Sequence, residues 1–93
     1  MRRHAGWLSQ TDERILEFLD EYGNHPPSAI TDRLAEHGVD LDYHSNHISR
    51  ECRKLAAAGL LLNVGAGTYS ITDDGRSFLS GDLDAGTLEE PDS

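Results

Sequence analysis

Residues 43–58 read YHSNHISRECRKLAAA and are followed at once by Gly59. Ile48, Cys52, Leu55 and Ala56 recur at the three- and four-residue spacing of a helix, and Gly59 stands where a helix stops. The spacing predicts a helix from about Asp42 or Tyr43 to Ala58. On a wheel of about 100° per residue, Ile48, Cys52 and Leu55 fall on one side and Asn46, Arg50 and Arg53 almost opposite. His47 and Lys54 lie on one flank of that polar side and Ser49 on the other. Between residues 43 and 54 three bases, Arg50, Arg53 and Lys54, face one acid, Glu51, in a chain whose formal charge is −9. The sign of the charge reverses locally on this helix.

Downstream, Leu60 to Val64 and Thr68 to Ile71 are β-prone runs separated by Gly65-Ala66-Gly67, which predicts a hairpin with a short flexible tip. Thr72 then caps a last helical segment from Asp73 to Leu79, with acids in its first turn. Upstream, Thr11 is a candidate cap for a first helix with Asp12 and Glu13 in its first turn and Ile15, Phe18, Leu19 and Tyr22 as its apolar stripe. Gly23 stops that helix, and Asn24 to Pro27 form a turn. Ser28 is the expected cap of a short second helix from Ala29 to about His37, with Ile30 and Leu34 inward and Gly38 at its end. Val39-Asp40-Leu41 alternates and is expected to supply a brief third strand. Three helices, a hairpin and a short closing helix make a mainly α fold with a small β hairpin, the winged helix-turn-helix order. Residues 1–10 are expected to form an N-terminal arm, residues 11–81 the winged domain, and residues 82–93 an acidic, disordered tail.

This architecture gives the outward face of the third helix a meaning. The arginine fork matches two acceptors on guanine in the major groove, and asparagine matches adenine. Serine and lysine at the groove walls suit phosphate. The candidate DNA-binding residues are therefore Ser45, Asn46, His47, Ser49, Arg50, Arg53 and Lys54, with Gly65, Ala66 and Gly67 as a wing. A solvated polar helix face has a similar composition; the position just before a hairpin favours DNA. Gly65 and Gly67 also serve any ordinary hairpin turn. Arg2, Arg3 and His4 form a second basic element, equally consistent with a free N-terminus.

The 93 residues suit one compact domain. Seven of the eight basic residues are Arg, against 17 acids. Residues 82–93 account for five of those acids and no base, so the body is acidic as well. An acidic, Lys-poor, Cys-poor chain fits the composition of proteins from salt-loving cells, where high charge keeps proteins dispersed. Cys52 is the only cysteine, so no intrachain disulfide forms. Arg2-Arg3 is followed by no apolar core of signal-peptide length, and no run approaches the roughly 20 apolar residues of a membrane span. A soluble, cytoplasmic protein is the expectation.

Several stretches give the sequence a family likeness. Trp7-Leu8, residues 12–17 (DERILE), residues 55–61 (LAAAGLL), residues 69–75 (YSITDDG), Phe78-Leu79 and residues 81–84 (GDLD) together resemble the haloarchaeal phage phiH repressor-like family of winged helix proteins. The likeness spans about residues 7–85. It implies sequence-specific binding of double-stranded DNA, as a homodimer, in transcriptional control, most simply as a repressor. Ile48, Ser49, Arg50 and the inward Cys52 depart from the pattern usual in the middle of that helix, so no target sequence carries over.

Other chemistries fit less well. His44 and His47 with Cys52 and His37 suggest a metal or redox sensor, but the wheel turns Cys52 inward and His47 sideways, and zinc needs about four convergent ligands. Cys52 reads as a small core residue, and neither a metal nor another cofactor is expected. Asp73-Asp74 reads as helix capping and Asp40 with Asp42 as a solvated link. No nucleophile motif or phosphate loop is visible, so no enzyme and no small-molecule ligand is expected. A winged helix that binds protein instead of DNA is the alternative. Trp7 and Leu8 are expected either to fold back on the core or to cover a partner copy near Phe78 and Leu83.

Overall fold

The computed structural model describes residue 2, residues 5–36 and residues 45–88. Its elements run α1 (Gln10–Tyr22), α2 (Pro27–Glu36), α3 (Ser45–Ala57), β1 (Leu61–Gly65), β2 (Thr68–Ile71) and α4 (Asp73–Ser80), closed by a 3-10 turn at Ala85–Thr87. This is the α+β winged helix order expected from the sequence. The details of how the elements begin differ, for identifiable reasons.

α1 is capped by Ser9 and not by Thr11. The Ser9 hydroxyl accepts from the Asp12 amide (3.2 Å) while the Asp12 carboxylate accepts from the Ser9 amide (2.9 Å). This reciprocal pair satisfies two amides that the first turn otherwise leaves open. α2 starts at Pro27, two residues ahead of the expected start. A proline at the first helical position sacrifices no hydrogen bond and arrives with helical φ, so it out-competes Ser28 as the start signal. α3 ends as expected: Leu60 N–H donates to the Leu55 carbonyl (3.0 Å) and Gly59 N–H to Ala56 (3.0 Å), with Gly59 at φ +85°. That double bond pattern needs a left-handed residue at position 59.

β1 and β2 pair antiparallel, with Leu61 opposite Ile71, Leu62 opposite Ser70 and Asn63 opposite Tyr69, before an irregularity between Asn63 and Gly65. A further strand-like contact comes from a residue that the sequence places in a turn. His25, between α1 and α2, exchanges both backbone hydrogen bonds with Tyr69 (3.2 and 3.0 Å). The two prolines that follow force His25 out of helical backbone and into extended geometry. The expected strand at residues 39–41 and the first residues of the predicted third helix, Asp42 to His44, lie outside the described residues.

The core joins every layer: Ile15, Leu16, Phe18 and Leu19 of α1, Ile30 and Leu34 of α2, Ile48, Cys52 and Leu55 of α3, then Leu60, Leu61, Tyr69, Ile71, Phe78 and Ala85. α1 packs against α3 and α4, and α2 packs against α3. Tyr22, expected inward, is 48% exposed, and Leu16 takes its share of the buried stripe. Trp7 and Leu8 fold back onto this core together with Ala5, and Leu83 and Leu88 do so from the other end. The packed body therefore reaches beyond both expected boundaries. Asp84 caps the closing turn by accepting from the Gly86 amide (2.8 Å), and Ala85 is fully buried. Residues 89–93, the rest of the expected tail, lie outside the described residues.

Candidate nucleic-acid interface

α3 is fixed along one face by Ile48, Cys52 and Leu55, each fully buried. The opposite face follows from that anchoring. Asn46, Arg50 and Arg53 are exposed, and His47 and Ser49 are half-buried beside them. Asn46 and Arg50 stand four residues apart, and Arg50 and Arg53 three apart, so the three form one ridge along the helix. Neither Arg50 nor Arg53 is ion-paired with a described residue. Ser45 is the first residue of α3.

Lys54 departs from the expectation. Its side chain is only 16% exposed, and its Nζ lies 2.9 Å from the Asp12 carboxylate and in an ion pair with Glu51. The same ammonium donates to the Trp7 carbonyl (3.1 Å) and sits 5.8 Å from the centre of the Trp7 ring. Lys54 is thus turned toward the junction of α1 and the N-terminal segment, away from the Asn46–Arg50–Arg53 ridge. The physical reason is Asp12. A fully buried carboxylate needs a cation, and Lys54 on the flank of α3 is in reach.

Burial pushes the Asp12 carboxyl up to about 6, and the neighbouring Glu51 carboxyl adds to the rise; the Ser9 amide and Lys54 oppose it. Burial would also raise Glu51, but the Asp12 carboxyl and the Lys54 ammonium outweigh it and bring Glu51 below its ordinary value. Burial works against a charged Lys54, and the two carboxylates more than compensate, so its pKa is raised. Two acids and one base share this pocket, and Asp12 Oδ1 has no hydrogen-bond partner among the described residues. Glu51, the one acid counted among residues 43–54, is buried. Removing Glu51 and Lys54 together from the solvent side leaves Arg50 and Arg53 as its two cations, so the face stays positive.

Cys52 is fully buried, and burial, with the nearby Asp12 and Glu51 charges, pushes its thiol up to about 12. That is the environment of an inert core residue. Among the described residues no group of three His, Cys, Asp or Glu side chains is placed to hold a metal ion. His37 and His44 lie outside the described residues. Likewise, no described helix is long and apolar enough to cross a membrane.

The tip residues Gly65, Ala66 and Gly67 are all exposed and all at positive φ (118°, 51° and 73°). Glycine adopts that backbone freely, whereas Ala66 tolerates it at a cost. Arg2 is also not a free basic arm. Its guanidinium binds Glu17 (2.9 Å), Glu13 (3.4 Å) and the Leu79 carbonyl (3.1 Å), tying the start of the chain to α1 and α4. Arg3 and His4 lie outside the described residues.

The family model for winged helix-turn-helix phage repressors matches residues 1–91. The chain belongs to that family. Its fold is also that of a solved repressor-like structure, the crystal structure of the PhiH1 repressor-like protein from Haloarcula marismortui. That protein is 34% identical, with 97% of each chain covered and a TM-score of 0.84. Among curated proteins none matches. At the level of the phage repressor family, this is a DNA-binding regulator. The residues that position its third helix, Asp12, Glu51 and Trp7, escaped the sequence reading. The spacing Ser9-x-x-Asp12 marks a capping box, but nothing in the sequence says that the capping acid meets a lysine 42 positions away.

Proposed function

We propose that this protein is a sequence-specific transcriptional regulator, acting as a repressor, that inserts α3 into the major groove of double-stranded DNA. The observation that carries this reading is the exposed ridge Asn46–Arg50–Arg53, with two cations uncompensated among the described residues on a chain of net charge −9. Arg50 and Arg53 are assigned to guanine edges and Asn46 to adenine. Ser45, His47 and Ser49 flank them as phosphate contacts, and the tip Gly65, Ala66 and Gly67 approaches the adjacent backbone. Lys54 is assigned to holding α3 in place. The protein works as a homodimer in the cytoplasm, because two-fold regulators read palindromic sites.

Recovery of genomic fragments on the full-length protein at molar salt, followed by sequencing, tests the assignment. The expected result is a small set of enriched sites sharing one inverted motif. Fragments with no common motif would reject base reading, and retention of protein in place of DNA would favour an interaction module.

A further inference from the structure

Tyr69 sits at the centre of the small sheet, with β1 on one side and His25 on the other. Its N–H and C=O both go to His25. In an antiparallel pair, a residue's two backbone groups point to one side only. Tyr69 therefore offers none to Asn63, its partner on β1, and Asn63 in turn directs its own N–H and C=O away from β2. Among the described residues no strand lies beyond β1, which is the edge of the sheet. Leu61, at the start of the strand, is buried, so the open edge is centred on Asn63. On either side of it Leu62 (57%) and Val64 (50%) are exposed.

Apart from its short length and the irregularity between Asn63 and Gly65, this edge carries none of the side-chain devices that keep edges apart. Natural sheets place lysine, proline or inward charge on such strands. Here residues 55–72 contain no charged residue at all, in a chain where 25 of 93 residues are charged. Copies of net charge −9 repel over most of their surface, and this stretch is where they can meet without opposing charge. The surfaces expected from the sequence to join two copies are used within one: Trp7, Leu8 and Leu83 pack on their own core, and Phe78 is fully buried.

We infer that the outer edge of β1 is the surface on which a second copy of this chain docks, antiparallel and two-fold symmetric about Asn63. Each Asn63 N–H donates to the partner's Asn63 carbonyl. Leu62 of one copy lies opposite Val64 of the other, twice, so both exposed apolar side chains are covered. This inference rests on the dimeric reading of the regulator and gives it a location. The tip at Gly65 to Gly67 remains outside the contact centre.

Directly opposed residues in such a pair have Cα atoms about 4.5 Å apart when not hydrogen-bonded, within disulfide range, whereas two copies of residue 62 would stand about 8 Å apart, outside it. Separate Leu62→Cys and Val64→Cys proteins, mixed in molar salt with a mild oxidant, are therefore expected to cross-link, while each alone does not. The buried Cys52 thiol does not compete. Cross-linking of the mixture no greater than that of either protein alone overturns the pairing. Sedimentation adds a second reading. The wild type is expected to be dimeric, increasingly so as salt rises and screens the repulsion, and Leu62→Lys is expected to be monomeric and folded. A monomeric wild type, or a Leu62→Lys dimer as tight as wild type, overturns the inference. A dimer that ignores DNA would instead sink the role given to α3 and leave this surface standing.

Discussion

The Lys54 ammonium lies 2.9 Å from the Asp12 carboxylate, joining α3 to the start of α1 across a site where the carboxylate has no exposure to solvent. Removing the cation alone strands two acids, Asp12 and Glu51, in that site. Breaking a buried pair from one side costs about 3–5 kcal/mol. Lys54→Met should therefore lower the denaturant midpoint by an amount corresponding to about 3 kcal/mol, and Asp12→Asn in the same protein should restore part of it. A midpoint unchanged in Lys54→Met would show that the pair contributes nothing net.

The same acid controls the pH response. Folding raises the Asp12 pKa from 3.8 to about 6, so between those values the folded chain binds a proton that the unfolded chain has released. Its stabilising effect is complete below pH 3.8 and declines as pH rises through about 6. Glu51, lowered on folding, acts in the opposite sense at more acidic pH. The expected outcome is a higher melting temperature at pH 5 than at pH 7.5, with the difference reduced in Asp12→Asn. Calorimetry at the two values measures it, and an identical pH dependence in wild type and variant would remove Asp12 as the source.

Arg50 and Arg53 belong to a different class of prediction, because both are exposed and unpaired among the described residues. Arg50→Ala and Arg53→Ala should each weaken binding to the recovered site by about 10- to 100-fold, the value of one bidentate base contact. Stability should change by no more than about 0.5 kcal/mol, as for other surface positions. Gel shifts and melts on the same samples separate the two effects. Undiminished binding in the double variant would move the interface off this helix.

Salt dependence should be shallow. With Lys54 and Arg2 held by acids, few cations are left to displace counterions from DNA. Arg50 and Arg53 are assigned to bases, and even counting both arginines of each of two copies as displacing counterions the slope in log affinity against log salt reaches only about −4, where regulators with 6–10 phosphate contacts fall far more steeply. Fluorescence anisotropy from 0.2 to 2 M potassium chloride gives the slope, and a value steeper than about −6 would point to additional basic contacts.

Gly75 tests the packing that places the hairpin. A Cβ at this position would lie 2.5 Å from the Leu60 carbonyl oxygen and 2.6 Å from Ile71 Cγ1, and the first of these is backbone. Gly75→Ala should destabilise the fold by about 2 kcal/mol, in the range of core overpacking. That corresponds to about 8 °C or more in melting temperature for a domain of this size. An unaltered melting temperature would mean that α4 sits less tightly on β2.

The order of elements was readable because helical spacing and stop residues are local signals. Ile48, Cys52 and Leu55 gave the buried face of α3 directly, and Gly59 its end. The misplaced features are those settled by contacts distant in sequence. His25, in a turn, forms an isolated bridge because Tyr69 offers it both backbone groups. Lys54 leaves the solvent side because Asp12, buried by the turn of α1, requires a cation. Ala85 joins the core from within the stretch expected to be a tail, whereas Trp7 takes one of its two expected positions, packed against that core. The ridge Asn46–Arg50–Arg53 was legible for the opposite reason: exposed residues are positioned by the helix alone.

Arg2 carries a consequence for how the chain must be handled. Its guanidinium holds two acids of α1 and the carbonyl of Leu79, 77 positions away. Trimming of the first two residues by an aminopeptidase would therefore be felt at α4, although no residue of that helix had been cut. A purification handle that crowds the second residue would strain the same clasp, whereas one appended after residue 93 would leave it closed.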